Sequence, residues 1–330
     1  MSNCLEVASF ILFADDTNVF ISDNNIENVV CKTNRILSNI KLYLEANYLH
    51  INIKKSHFMH FTTPRSKLNS ENLQIQFDSK PLIKVSETKF LGVIIDEKLQ
   101  WSSHIKFLAN KVSKTTGSLY EMRRVISQSL RKSVYNALVN SNLSYAISVW
   151  GSGGCRSKLK PLFVIQKRCL RNLFGIRKRS KHQKGHTKSI FNSNNILTIY
   201  NLFYYFTLSD IAKIRQLKSP EYLYTLLKIN GDKDRMDIPL LKTSHYQNNF
   251  LYQGPKLWNQ ILPFVKNKHD SQLPSNLRIF KSRLKTFLLQ MQSYGENISD
   301  DWLPSNDCIN TYLTERSLLL LSHLIVLIES

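Results

Sequence analysis

The stretch ASFILFADDTNVFIS, residues 8 to 22, sets two adjacent acids, Asp15 and Asp16, between two apolar runs. A hairpin turn often uses one Asp, whose side chain bonds its own backbone. Two in a row, flanked by Phe13 and Val19, are costly unless a cation sits between them. FILFA and NVFIS on either side read as two short strands, so the acids fall at the tip of a hairpin.

Working outward, DNNIENVVCKTNRILSNIKLYLEANYLHI reads as a helix. Asn24 or Asn25 can cap it, and Ile26, Val29, Val30, Thr33, Ile36, Leu37, Ile40 and Leu44 recur at spacings of three and four. HFMHF (57 to 61) is a further strand, Pro64 and its neighbours form a loop, and LQIQF and LIKV alternate around a DSKP turn. KFLGVIID (89 to 96) reads as one more strand. From Trp101 the pattern becomes helical. Ile105, Leu108, Val112, Leu119, Met122 and Val125 mark a long helix, SLRKSVYNALVNSNLSYAISVW a second, and LFVIQKRCLRNLFGI a third. The last third mixes helical stretches with turn-rich pieces around Gly231, Gly254-Pro255 and Pro274, and Trp258 and Pro263 read as packing residues. The fold class is α+β, with an antiparallel sheet-and-helix region at 1–98, a basic helical region at 99–190 and a mainly helical region at 191–330.

Charge divides the chain more sharply than periodicity does. Residues 1–98 balance 11 Lys/Arg against 11 Asp/Glu, whereas residues 99–190 carry 19 Lys/Arg against one acid, Glu121. Nearly all of the formal +21 is therefore in one block. A soluble surface mixes signs, so a single-sign field this dense predicts a polyanionic partner, with nucleic acid ahead of an anionic membrane. Five scattered cysteines without a CxxC pair predict a reducing intracellular setting, nucleus and/or cytoplasm. Cys155, Cys169, His182 and His186 offer a His-x₃-His spacing, but the thirteen residues between the cysteines do not make a zinc knuckle. Glu6 and the acid pair interrupt the N-terminal apolar stretch, so no secretory leader is expected there. SLLLLSHLIVLI (317 to 328) is shorter than the ~20 residues of a membrane span. It reads as a buried or partner-packing terminal helix, and no membrane association is expected.

These segments in this order resemble the reverse transcriptases of non-LTR retrotransposons (LINE-like, jockey-type). FADD between apolar strands resembles the family's metal-binding hairpin. LHINIKKSHFMHF is similar to its Asn-x-x-Lys-Thr segment, with Asn52, Lys55 and Ser56 at the matching places. VSETKFLGVIIDEKLQWSSHI resembles the strand that positions the primer end and leads into the thumb. The segment at Gln166, GPKLWNQILP and FKSRLKTFLL resemble the C-terminal region, so the likeness runs from about residue 8 to 290.

The resemblance implies RNA-directed DNA polymerisation on an RNA template and DNA primer, with Mg²⁺ or Mn²⁺ held by carboxylates from separate strands. It implies Asp15 as the main metal ligand and Asp16 as the lesser one, Lys55 near the outgoing pyrophosphate, and Phe90, Leu91 and Gly92 at the primer terminus. Lys106, Lys111, Lys114, Arg123, Arg124, Lys167, Arg168, Arg171, Arg177, Lys178 and Arg179 would then follow the nucleic-acid backbone through its phosphates. The family draws another essential Asp from a strand upstream of the hairpin. The 14 residues before Asp15 hold no Asp and one Glu, Glu6. The expectation is therefore a C-terminal portion: partial palm, thumb and tail, inactive by itself.

Overall fold

The computed structural model describes residues 8–14, 16–62, 73–152, 156–175, 186–229, 235–241, 247–266, 276–294 and 322–329. The chain is α+β and divides into two units, residues 1–101 with 309–330, and residues 102–308.

In the first unit the acid hairpin forms as read: β1 (Ala8–Phe13) pairs antiparallel with β2 (Asp16–Asp23), Phe13 opposite Asp16. Ala14, at the tip, takes the left-handed φ of 53°. Alternation in β2 sends Val19 and Ile21 into the core, while the buried Asn18 amide donates to the Ile11 carbonyl at 3.2 Å. Helix α1 (Ile26–Ala46) follows at once. Asn25 caps it by accepting from the Glu27 N–H at 2.9 Å, and Asp23 accepts from the Asn25 N–H at 3.0 Å. Asp23 is also paired with Lys32, which holds its carboxyl well below the usual range. The apolar stripe of α1 (Val29, Ile36, Leu37, Ile40) packs with Val19, Ile21 and Phe58, and with Ile75, Phe77 and Leu82. Phe58 belongs to β3 (His57–Phe61). Three two-residue strands follow, β4 (Gln76–Phe77), β5 (Lys80–Pro81) and β6 (Ile83–Lys84); β4 pairs with β5, and β6 runs parallel to β3.

KFLGVIID is not one strand. Leu91 and Gly92 both have positive φ, 45° and 84°, as the two central residues of a type I′ turn require. The segment folds back as β7 (Glu87–Phe90) against β8 (Val93–Asp96), with Phe90 opposite Val93. The glycine after a bulky residue carried that signal, and the apolar alternation masked it.

The terminal apolar segment departs furthest from expectation. Residues 322–329 form no helix; they are strand β9 (Ser322–Glu329), lying between β2 and β3 and antiparallel to both. The sheet order is β1-β2-β9-β3-β6. Eight residues of β2 and five of β3 pair with β9, so its backbone is satisfied from two sides. Ile325, Val326 and Ile328 are β-branched, and a slot with two unpaired edges outweighs the helical reading of a short apolar run.

The second unit is helical: α2 (Ser102–Val125), α3 (Gln128–Tyr135), a π-helical turn (Asn136–Asn140), α4 (Ser141–Ser144), α5 (Ile147–Trp150), α6 (Arg156–Phe174), α7 (His186–Ser193), α8 (Ile199–Leu217), α9 (Glu221–Leu226), α10 (Phe250–Val265) and α11 (Leu277–Tyr294). The second helix of the sequence reading is thus broken, at Ala146, whose φ of 51° no helix continues through. Gly254-Pro255 lies inside α10 and is not a turn. A Cβ on Gly254 would come within 2.7 Å of the Ile211 side chain, so the glycine lets α10 approach α8. Trp258 is buried and stacked on Phe280, while Pro263 is exposed and packs less than expected.

Two buried glutamines fix the entry to α8. Gln166 donates to the Tyr135 hydroxyl (2.8 Å) and the Leu197 carbonyl (3.0 Å) and accepts from the Ile199 N–H (3.0 Å). Gln292 accepts from the Thr198 N–H (3.1 Å) and donates to the Ile196 carbonyl (3.1 Å) and Asn192 (3.2 Å). The buried run Ile196–Ile199 thereby finds side-chain partners for backbone groups that have left one helix and not yet entered the next.

Three outcomes follow from this packing. Val326→Pro removes a donor from the strand between β2 and β3 and should cost about 3 kcal/mol or more, read by denaturant unfolding of the first unit. Gln166→Met keeps volume but orphans two buried backbone groups, and should destabilise the helical unit by about 2–5 kcal/mol in urea titrations. His104, buried beside the Trp150 ring at 5.2 Å, has its pKa pushed down to about 4 by burial. The unfolded chain then binds a proton that the native chain refuses, so stability falls as pH drops from about 6.5 toward 4. His104→Phe should remove up to about 3 kcal/mol of that loss, measured by urea midpoints across the window.

Candidate functional site

In the sheet unit, Asp15 lies outside the described residues. Asp16 opens β2 and is half-buried; its backbone faces Phe13 across the hairpin and Glu329 of β9 on the other side. Lys55 sits in an exposed turn whose backbone is tied back: its N–H and that of Ser56 both donate to the Asn52 carbonyl at 3.0 Å. Ser56 is buried, and its hydroxyl donates to the same carbonyl. Asn52 and Ser56 therefore build the turn that presents Lys55. Phe90 is half-buried, and Leu91 and Gly92 form the exposed turn between β7 and β8. The end of β8 is anchored by Asp96, whose carboxylate accepts from the N–H groups of Lys98 (3.2 Å), Gln100 (3.0 Å) and Trp101 (2.8 Å).

Among the described residues no three His, Cys, Asp or Glu side chains group closely enough to hold a metal ion. Asp16 brings the hard carboxylate oxygens that Mg²⁺ or Mn²⁺ prefers, and a two-ion centre would need further carboxylates beside it. Of the zinc pattern, Cys155, His182 and the side chain of His186 lie outside the described residues. Cys169 is buried, with its thiol 3.7 Å from the Thr116 hydroxyl and its pKa raised by burial.

In the helical unit, α2 and α6 pack together. Asn172 of α6 donates to the Thr116 carbonyl of α2 at 3.0 Å, and Arg123 of α2 reaches the position of Gly175 after α6. The buried face of α2 is Ile105, Leu108, Val112, Thr116 and Leu119, which leaves Lys106, Lys111 and Lys114 exposed. They spread over more than a third of the helix circumference, at 100° per residue, rather than lying in a row. At the end of α2 the Arg123 guanidinium lies 4.4 Å over the Tyr120 ring, and Arg124 pairs with Glu121 at 3.3 Å. Cations at a helix C-terminus complement its dipole, which gives these two arginines a structural task as well.

Helix α6 is different. It buries Leu159, Leu162, Phe163, Gln166, Cys169, Leu170 and Leu173, and turns Lys160, Lys167 and Arg171 outward with Arg168 beside them. Lys160 was not singled out from the sequence. Its signal is the spacing 160, 167, 171, which returns to within about 40° on a helix. The Lys167 ammonium sits 4.3 Å over the Phe163 ring. Its pKa is lowered, first by burial and then by the like charges of Arg171 and Lys160. Arg177, Lys178 and Arg179 lie outside the described residues.

No family model matches the sequence, and no solved structure matches the fold. The chain is 24% identical over 152 residues, 44% of its own length, to the probable RNA-directed DNA polymerase from transposon X-element of Drosophila melanogaster. The match spans 16% of that polymerase's length. No described helix is long and apolar enough to cross a membrane. The sequence, over this part of its length, makes the chain a distant relative of a transposon RNA-directed DNA polymerase.

Proposed function

We propose that the chain is part of a non-LTR, LINE-like reverse transcriptase, the C-terminal portion of its palm with the thumb and tail, and that its own biochemical capacity is to bind nucleic acid. The relationship to a transposon polymerase carries the reading. The segregation of charge supports it: 19 Lys/Arg against Glu121 within residues 99–190. Lys and Arg on the outer sides of α2 and α6 neutralise phosphates, hold the template and primer strands without reading their sequence, and release counterions.

Metal-dependent nucleotidyl transfer belongs, in this reading, to the longer parent enzyme. There Asp15 and Asp16 at the hairpin tip would be joined by carboxylates from elsewhere to hold Mg²⁺ or Mn²⁺. This stretch by itself binds but does not polymerise. A non-catalytic binding module making the same phosphate contacts is the second reading, favoured by the concentration of cations in residues 99–190.

The deciding measurement is the salt dependence of binding to a nucleic acid of arbitrary sequence. Log affinity should fall linearly with log salt at a slope of about −3 or steeper, since each phosphate contact contributes about −0.9. Weak binding with no slope overturns the reading. Primer extension on an RNA template with Mg²⁺ or Mn²⁺ should give no product, and template-dependent product abolished by Asp15→Asn would overturn the claim of inactivity.

A further inference from the structure

The two edges of the five-stranded sheet are built differently. β6 is two residues long and carries Lys84, two of the means by which proteins keep a further strand from adding to a sheet. β1 has neither. ASFILF holds no charge and no proline, and its register with β2 runs unbroken from Ala8 opposite Ile21 to Phe13 opposite Asp16, so no bulge turns it aside. Among the described residues β1 pairs on one side, with β2, and Ile11, Leu12 and Phe13 are 45%, 58% and 57% exposed.

Charge decides what such an edge can take. Nucleic acid and anionic lipid need cations, and β1 offers none. Two copies of a chain carrying +21 repel one another over most of their surface, but residues 1–98 balance 11 Lys/Arg against 11 Asp/Glu. The β1 edge is therefore a place where two copies meet without that penalty.

The hairpin sets the register. Phe13 and Asp16 close a two-residue turn, so the backbone groups of Phe13, Ile11 and Ser9 point at β2, and those of Leu12 and Phe10 point outward. If both copies keep α1 on the same face of a shared sheet, a two-fold axis at Ile11 sets Ile11 opposite Ile11 of the second copy. Phe10 then lies opposite Leu12 of the second copy, and these two outward-pointing positions exchange four backbone hydrogen bonds across the axis. All three exposed apolar residues fall within this pairing. The two Asp16 residues stand about 20 Å apart, four residues along and three strand spacings across, beyond the screening length of about 8 Å.

We propose that two copies of this chain join edge to edge through β1, antiparallel about Ile11, and share one continuous sheet. This goes beyond the nucleic-acid reading and does not depend on it. Because β6 blunts the far edges, growth stops at two copies. A six-residue edge makes a small interface, so the dimer forms at about 1 to 100 µM.

The test follows the mass of the nuclease-treated full chain by analytical ultracentrifugation over that range. Mass should rise from one chain to two. Added salt should tighten the dimer by screening the +21 on each copy, whereas copies bridged by residual nucleic acid would loosen. Leu12→Lys, at an exposed position, should weaken association about tenfold or more and leave the urea midpoint in place. Mild oxidation of Ile11→Cys should give a disulfide-linked dimer above the wild-type background, because opposed residues of a non-hydrogen-bonded pair lie about 4.5 Å apart at Cα. Phe10→Cys, on the same strand, should give no more than wild type. Should Leu12→Lys melt early, this pair of cysteine variants carries the decision. A single-chain mass throughout, assemblies growing past two copies, or loosening by salt overturns the proposal. A dimer that survives Leu12→Lys in a folded chain, or that cross-links as well through Phe10→Cys, overturns its assignment to β1 about Ile11. None of these outcomes alters the salt slope by which nucleic-acid binding is judged.

Discussion

The sheet unit depends on one backbone constraint: β2 and β3 do not pair with each other. Each presents a full edge of N–H and C=O groups, and both edges are met by residues 322–329. An unpaired buried backbone group costs about as much as a lost hydrogen bond, so without that strand the hairpin β1-β2 and the β3-β6 pair would be two separate pieces beside α1. The position of the acid tip, the turn that presents Lys55 and the packing of α1 on Val19 and Phe58 all presuppose that this gap is closed.

The helical unit solves the same problem with side chains. Where α7 hands over to α8, four consecutive buried residues would leave carbonyls and N–H groups stranded, and the amides of Gln166 and Gln292 reach in from two other helices to meet them. Gln166 therefore does two things at once on α6. Its helix turns a polar residue inward to hold the core while turning cations outward. Because the inner side is pinned, the outer cations stand in a fixed geometry on a rigid support.

Local periodicity carried most of the architecture. Hairpin, α1, β3 and the long helices α2 and α6 were legible because each has apolar residues at a clear spacing and a recognisable end, such as Asn25. Two misreadings share a cause. KFLGVIID and SLLLLSHLIVLI are apolar runs whose composition fits more than one structure; a turn at Leu91-Gly92 resolved the first and a distant sheet edge the second. The first is decided by a glycine inside the run, the second by strands far away in the sequence. At the site, cationic residues were legible as a composition bias, whereas their sorting into the scattered set on α2 and the row on α6 became visible with the helix faces. Lys160 was hidden because Pro161 next to it reads as a helix breaker, yet the proline lies within the helix.

A strand near one end of the chain lying between two near the other has a consequence for biosynthesis. Roughly 300 residues separate β2 from β9, and at about 5–20 residues per second a ribosome needs about 15 to 60 s to deliver the missing strand. Throughout that interval the nascent chain carries two open β edges, which attract neighbouring chains and chaperones alike. A premature stop anywhere in between releases a product that has every residue of the acid hairpin and no completed sheet to hold it. That makes the first unit a reporter of whether translation has run from β2 through β9.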